Sequence, residues 1–328
     1  MVRMGVIGTS WITESFLQNA VMVEGFKLKA VYSRNEDKAR ALAEKYNADH
    51  IFTNLSEMAE SNLIDAVYIA SPNSLHAGQA IEFLRRGKHV LCEKPIASNL
   101  RELNLMIETA RSNNLLLMEA MKSTFLPNFK VIEENLDKLG KIRRFFANYC
   151  QYSSRYDLVK QGQRVNIFDP EFSGGSLMDI GVYCVYPMVK LFGMPKEIKA
   201  SAFKLGSGVD GLGSLILSYD EMEGVIIHSK ITHTYIPSEI QGENGSMVID
   251  RIDGPRNVQI YYRDGNTEDL TVPQDMEQMY YEVREFIELI ESNKTESAIN
   301  SYLNSINTMK VMDAARAQCG IVFKADLR

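Results

Sequence analysis

The chain has 328 residues, of which 45% are hydrophobic and 24% charged, and a formal net charge of −6. That length exceeds what one core usually serves, so two domains are expected, and the composition is that of an ordinary soluble globular protein. The acidic balance gives no support for binding nucleic acid or an anionic membrane, and no apolar run approaches the ~20 residues of a bilayer span.

Met1-Val2-Arg3-Met4 runs straight into a strand pattern with no secretory segment. Cys92, Cys150, Cys184 and Cys319 are scattered without C-x-x-C spacing, so a cytoplasmic protein with reduced thiols is expected. The five histidines do not cluster. His228 and His233, five apart in a strand-like run, point to opposite faces, and no metal site is expected.

From Val2 to about Ala120 apolar runs alternate with helical periodicity. Val2–Gly8, Lys27–Ser33, Asp65–Ser71, His89–Cys92 and Leu115–Glu119 read as strands, with His50–Thr53 a weaker one. Helix patterns fall near Ile12–Met22, Glu36–Tyr46, Leu75–Arg86 and Leu100–Asn113. Such alternation means crossover connections and a parallel sheet covered on both faces.

Gly8-Thr9-Ser10-Trp11-Ile12-Thr13 leaves the first strand and opens the first helix. A dinucleotide-binding turn occupies that position, where helix N–H groups meet the pyrophosphate. Of the usual G-x-G-x-x-G only Gly8 remains, with Ser10 and Thr13 in place of the other glycines. A plain strand-to-helix turn capped by serine is the competing reading.

The second strand ends at Tyr32-Ser33-Arg34-Asn35, where an NAD-preferring site would carry an acid. Ser33, Arg34 and Lys38, one helical turn on, instead suit a 2′-phosphate, so NADP is preferred over NAD. Ser33 and Glu36 also form a capping-box pattern that would leave both cations on a solvated helix. Ser71-Pro72-Asn73-Ser74-Leu75-His76 follows the next strand in the same way. It brings Ser71, Pro72, Asn73 and His76 to the carboxyl ends of the strands, unless Asn73 or Ser74 is only a helix cap.

Glu93-Lys94-Pro95 ends the apolar run His89-Val90-Leu91-Cys92. A charged pair there is out of place in a core and expected at the mouth of a parallel sheet, where ligands bind. Pro95 restricts Lys94 to extended geometry and is compatible with a cis bond. The competing reading pairs Lys94 with Glu93 on a surface turn.

After Phe125-Leu126-Pro127 a helix pattern runs from Asn128 to Leu139 and stops at Gly140. The texture then changes to strands at Ile142–Ser153, Glu197–Lys204, Ser214–Tyr219, Gly224–Thr232, Met247–Asp250 and Val258–Arg263. Asp220–Gly224 reads as a hairpin turn, and consecutive strands imply antiparallel pairing. Between them, Gly174-Gly175 precedes a helix through about Phe192, and the glycine pair is expected to let the backbone approach a ligand. Asp179 and Tyr183, four apart, share a face of that helix, as ligand-facing groups or as a hydrogen-bonded pair. Gln278–Glu291 and Ser301–Gln318 read as closing amphipathic helices.

Taken in order, Gly5-Val6-Ile7-Gly8-Thr9-Ser10, Ser71-Pro72-Asn73 with His76, Glu93-Lys94-Pro95, Met118-Glu119-Ala120-Met121, Gly174 through Tyr183 and Ala314-Ala315-Arg316 resemble the glucose–fructose oxidoreductase/inositol dehydrogenase (Gfo/Idh/MocA) family. The resemblance implies an α/β chain in two parts. Residues 1–121 would form a Rossmann domain with a parallel sheet. Residues 122–328 would form an α+β substrate domain with a large open, mostly antiparallel sheet, through which members assemble into dimers or tetramers. Asp-x-Gly-x-Tyr is similar to the branch with dimeric dihydrodiol dehydrogenase and sugar dehydrogenases, whereas the inositol dehydrogenase branch usually has histidine where Tyr183 stands. Lys122 and Thr124 replace an aromatic and an arginine common in that branch.

The implied reaction is hydride transfer between a nicotinamide and the alcohol or carbonyl of a sugar, polyol or dihydrodiol-like small molecule. It needs an acid/base at the substrate oxygen. Lys94 and Tyr183 are expected to act as a coupled pair on that oxygen, with Asp179 orienting the hydroxyl or the phenol. Gly8, Thr9, Ser10, Trp11, Ile12, Ser33, Arg34, Lys38, Ser71, Pro72, Asn73, His76, Glu93 and Lys94 would line the cofactor. Lys122, Phe125, Tyr152, Tyr156, Arg164, Asn166 and Phe168 would supply pocket walls, within the loop-like stretch Ser153–Ser173 or beside it. A sensor with the same fold and weak catalysis is the rival reading; the intact Glu93-Lys94-Pro95 and the Asp179/Tyr183 pair argue against it.

Overall fold

The protein is described here by a computed structural model covering residues 1–327. In the first part of the chain, β1 (Val2–Ile7), α1 (Trp11–Ala20), β2 (Phe26–Tyr32), α2 (Glu36–Tyr46), β3 (His50–Phe52) and α3 (Leu55–Glu60) follow one another. Next come β4 (Ala66–Ile69), α4 (Asn73–Arg85), β5 (His89–Glu93), α5 (Leu100–Ser112) and β6 (Leu117–Ala120). Beyond them lie α6 (Pro127–Glu134), β7 (Ile142–Cys150), α7 (Arg155–Lys160) and a π-helical turn (Leu177–Gly181) that runs into α8 (Val182–Phe192). The strands β8 (Glu197–Lys204), β9 (Asp210–Ser218), β10 (Glu223–Ser229), β11 (Ser238–Gly242), β12 (Gly245–Ile249), β13 (Val258–Tyr262) and β14 (Thr267–Asp269) precede α9 (Gln278–Glu291) and α10 (Tyr302–Gln318).

Two compact units result, Met1–Lys122 with Met276–Tyr302, and Ser123–Asp275 with the remainder. The segment carrying α9 joins the first unit because its apolar stripe packs on α1 and β1. The Met1 amino group also meets Glu291 at 2.8 Å.

In the first unit the strand order is β3-β2-β1-β4-β5-β6, with every pair parallel. All four residues of β4 are buried, as a central strand covered on both faces requires. The order reverses between β1 and β4, which makes the carboxyl ends of these strands the place for a ligand. On one side of the sheet the Phe16 and Tyr68 rings stack with centroids 3.7 Å apart.

The second unit has the order β14-β13-β12-β11-β7-β10-β9-β8. Its neighbours are antiparallel except β7 and β10, which run parallel. On one face Phe145, Leu215, Ile226, Ile240, Met247 and Ile260 are buried, and α8 packs against its β7 and β10. The other face carries exposed Phe203, Ile216 and Tyr261, which strand register places on one side.

The parallel and mostly antiparallel sheets match the sequence expectation. Helix α3 and strands β11 and β14 were not anticipated, and α7 lies inside the stretch expected to be loop. The expected helix Asn128–Leu139 is α6 followed by a tighter turn, Leu136–Leu139, that ends at Gly140 with φ +69°.

Candidate active site

The turn after β1 requires its glycine. Gly8 has φ +106°, and a β-carbon there would sit 2.9 Å from the Ala70 carbonyl oxygen, so only glycine fits. Thr13, in place of a glycine, is fully buried. The first bond within α1 runs from the Glu14 N–H to the Ser10 carbonyl at 3.1 Å. The N–H groups of Trp11, Ile12 and Thr13 thus precede the helical ladder, in the arrangement that binds phosphate. Ser10 stands at the N-cap without a capping bond from its side chain, contrary to the serine-cap reading. Thr9 is half-buried beside it, and Trp11 is 70% exposed. These features fit a dinucleotide.

After β2, the cap of α2 is Asn35, whose Oδ1 accepts from the Lys38 N–H at 3.0 Å. The Ser33–Glu36 capping box does not form; Ser33 Oγ accepts from the Asn35 N–H at 3.2 Å. Arg34 and Lys38 are exposed, and neither has an ion-pair partner among the described residues. Two such cations beside a serine hydroxyl suit a phosphate better than a ribose hydroxyl.

Further along the same rim, Pro72 takes the N-cap position of α4 and Asn73 is its first residue. His76 does not line the surface. It is 1% exposed, with Nε2 2.8 Å from the Ser71 carbonyl and Nδ1 3.0 Å from that of Pro95. Burial lowers its pKa and the Lys94 charge pushes the same way, against the two carbonyls. His76 therefore stands between the loops that end β4 and β5, with a carbonyl oxygen at each ring nitrogen.

Glu93 is the last residue of β5 and is buried. Its Oε1 accepts from the Tyr68 hydroxyl at 2.6 Å and its Oε2 from the Lys94 N–H at 3.2 Å. The Lys94–Pro95 bond is cis. The Ile96 N–H donates to buried Glu119 at 3.1 Å. Glu93 thus serves the backbone around Lys94 rather than a surface turn. Fully buried Glu282 of α9 has no hydrogen-bond partner on either carboxyl oxygen among the described residues, and burial next to Glu93 raises its pKa well above the ordinary range.

In the second unit, Asp179 lies in the π turn and Tyr183 in the first turn of α8. The expected α-helical four-residue geometry is replaced by a wider turn of a kind concentrated at functional sites. Tyr183 is 8% exposed, and its ring meets that of Tyr149 edge-on at 5.8 Å. The Asp179 carboxylate accepts from the Lys230 ammonium.

The glycine pair makes room for neighbouring protein groups. A β-carbon on Gly175, at φ +121°, would collide with the Asp210 carboxylate, and one on Gly174 would come 2.7 Å from the Asn166 and Ile167 carbonyl oxygens. Asp210 Oδ2 accepts from the Leu177 N–H at 2.6 Å, and Ser176 Oγ lies 2.9 Å from His228 Nδ1. The His228 ring fits against Gly181 and Gly213, where β-carbons would come 3.1 and 2.9 Å from it. Asp210, His228 and Lys230 were all missed from the sequence. The signal was the two-residue spacing of His228 and Lys230, which puts both on the covered face of the sheet.

Of the proposed pocket walls, Tyr152, Tyr156 and Phe168 form an aromatic chain with centroids 5.9 and 5.8 Å apart. Arg164 is engaged by Asp169 and Glu171. Lys122 and Phe125 begin and end a short 3₁₀ turn, and Asn166 begins another.

Residues 2–121 match the family model GFO_IDH_MocA, an oxidoreductase family with an NAD-binding Rossmann fold. Residues 132–248 match the GFO/IDH/MocA C-terminal domain. A scyllo-inositol 2-dehydrogenase (NADP(+)), IolU of Bacillus subtilis, is 55% identical over 326 residues, 99% of each chain. A trans-1,2-dihydrobenzene-1,2-diol dehydrogenase of Xenopus tropicalis is 28% identical over 90% of each. Among solved structures, KijD10, a 3-ketoreductase from Actinomadura kijaniata in complex with NADP and TDP-benzene, is 25% identical with a TM-score of 0.87, covering 98% of this chain and 99% of that one.

Proposed function

The chain belongs to the Gfo/Idh/MocA oxidoreductase family, and from that premise we propose that it is an NADP-dependent dehydrogenase of cyclic polyols. The observation that carries the reading is the 55% identity, across both full lengths, to a relative named for scyllo-inositol and NADP. Support from this chain's own residues comes from Arg34 and Lys38, exposed beside Ser33, where a 2′-phosphate would sit. The dihydrodiol relative supports a ring-borne diol as the wider substrate class.

In this reading the nicotinamide, when bound, accepts or gives the hydride. Gly8 and the first-turn N–H groups of α1 hold the pyrophosphate. Ser71, Pro72 and Asn73 stand at the rim of the same sheet. Tyr183 takes the proton from the substrate hydroxyl in oxidation and returns it in reduction. Lys94 is the coupled partner that favours the phenolate form through its charge. Asp179 orients a substrate hydroxyl. The Phe203, Ile216 and Tyr261 face of the second sheet is the surface for assembly into a homodimer or homotetramer, as an exposed apolar face of this kind suits. The scattered free cysteines support a reducing, cytoplasmic setting.

The test is a fluorescence titration with NADPH and NADH, followed by rates on scyllo-inositol, other cyclitols, aldoses and trans-dihydrodiols. NADP-linked oxidation of a cyclitol is expected. Binding of cofactor with turnover of none of these compounds would contradict the reading.

A further inference from the structure

Lys230 lies just beyond β10 and still continues its ladder, donating its N–H to the Gly211 carbonyl at 2.8 Å. His228 and Lys230 therefore project from the same face of the strand, the one covered by the π turn. The Lys230 ammonium donates to Asp179 Oδ2, and no other protein group among the described residues receives it. An ammonium has three N–H donors. The Lys230 side chain is 10% exposed, against 30% for that of Asp179. Two donors of a largely buried cation are thus left over beside a more open carboxylate, an arrangement that is costly unless something else accepts from them.

We propose that Asp179 and Lys230 together recognise a vicinal diol, the carboxylate accepting from one hydroxyl and the ammonium donating to the oxygen of its neighbour. This rests on the proposed polyol dehydrogenase function and assigns Lys230 as a specificity residue of it. The pair carries no net charge, so it suits an uncharged substrate and offers no site for a carboxylate or phosphate. A lone hydroxyl engages only half of it.

Asp179 is held in place for this task. Leu177, two residues before it, donates its N–H to Asp210, and Ser176 engages His228. With the backbone of the turn pinned at its start and Asp179 held by Lys230, the spacing between carboxylate and ammonium is set before a ligand arrives. A merely structural ion pair would need no opening to solvent on the carboxylate side.

The experiment compares wild type, Lys230→Met and Lys230→Arg. It measures the KM and kcat for scyllo-inositol with NADP, and the inhibition constants of trans-1,2-cyclohexanediol and cyclohexanol as competitors. In wild type the diol should bind at least ~10-fold tighter than the mono-alcohol. Lys230→Met should reduce that preference to within about 2-fold and raise the KM for scyllo-inositol roughly 10-fold, with the KM for NADP unchanged. Lys230→Arg, which keeps the charge and presents several donors, should retain most of the preference and provides the comparison if the Met variant melts early. An undiminished diol preference in Lys230→Met, with wild type active on scyllo-inositol, would overturn this inference and leave the function standing. Wild-type inactivity on every cyclitol would overturn both.

Discussion

The imidazole of His76 meets the main-chain carbonyl of Pro95 at 3.0 Å, one residue beyond Lys94. Its other nitrogen faces the Ser71 carbonyl at 2.8 Å, so one side chain from α4 stands between two strand ends of the parallel sheet. A neutral ring has one N–H and can donate to only one of these carbonyls at a time. His76→Leu should cost about 1–3 kcal/mol of stability and lower turnover roughly 10- to 100-fold by loosening the Lys94 loop. Thermal melts with steady-state rates would check this. Wild-type kcat in a destabilised His76→Leu protein would make His76 a packing residue alone.

Gly175 leaves space that the Asp210 carboxylate occupies. Gly175→Ala adds a β-carbon there and forces an L side chain to φ +121°, so it should destabilise the protein by roughly 2–4 kcal/mol. Gly193, at φ +73° with open space around it, serves as the comparison and should lose less than half as much on the same change. Denaturant titration of the two variants measures the difference.

Asp210 and His228 respond to pH in opposite senses. Burial pushes the Asp210 carboxyl up from 3.8 to about 6, so its contribution to stability is complete below pH 3.8 and is lost as pH rises through 6. Burial pushes His228 down from 6.5 to about 3, so its contribution is present above pH 6.5 and is lost as pH falls towards 3. Between about pH 4 and 6 the two trends oppose each other. His228→Gln should expose the Asp210 trend, with stability falling as pH rises across that window. Asp210→Asn should expose the His228 trend, with stability falling as pH drops. Melting temperatures from pH 4 to 8 give the slopes, and identical slopes in both variants would contradict this assignment.

Arg34→Ala should raise the Kd for NADPH roughly 10-fold or more and change that for NADH by less than about 2-fold, since only the former carries the extra phosphate. Titration by nicotinamide fluorescence reads both. An equal effect on the two cofactors would make Arg34 an ordinary helix-surface residue.

Much of the fold was legible because parallel strands write themselves as apolar runs. Ala66-Val67-Tyr68-Ile69 and His89-Val90-Leu91-Cys92 were found in this way, each ending at a rim residue that the sheet order then made meaningful. Strand β11, Ser238-Glu239-Ile240-Gln241-Gly242, has one apolar side chain at its centre, and β14 is a three-residue polar edge. Their partners define them, and periodicity does not. The placement of α9 in the first unit was equally hidden, because an apolar stripe says that a helix is covered and not by what.

In the site, glycine misled. Gly174-Gly175 in the sequence suggests an approach for a ligand, yet the β-carbon space is taken by Asp210 and by the backbone at Asn166 and Ile167. The spacing of His228 from His233 bears only on metal binding, whereas its two-residue spacing from Lys230 puts both on one face of the strand. The π turn at Leu177–Gly181 leaves no local mark in the sequence, so the spacing of Asp179 and Tyr183 reads as α-helical.

Lys94 and Tyr183 are proposed to share one proton-transfer task. Its most direct measurement is the kcat of Lys94→Ala, Tyr183→Phe and the double variant, with the Kd for NADPH determined in each. Either single change should lower kcat by roughly 10²–10⁴-fold, cofactor affinity should stay near wild type, and the double variant should be little worse than the weaker single one. Near-normal turnover in either single variant, or losses that simply multiply in the double, would contradict it.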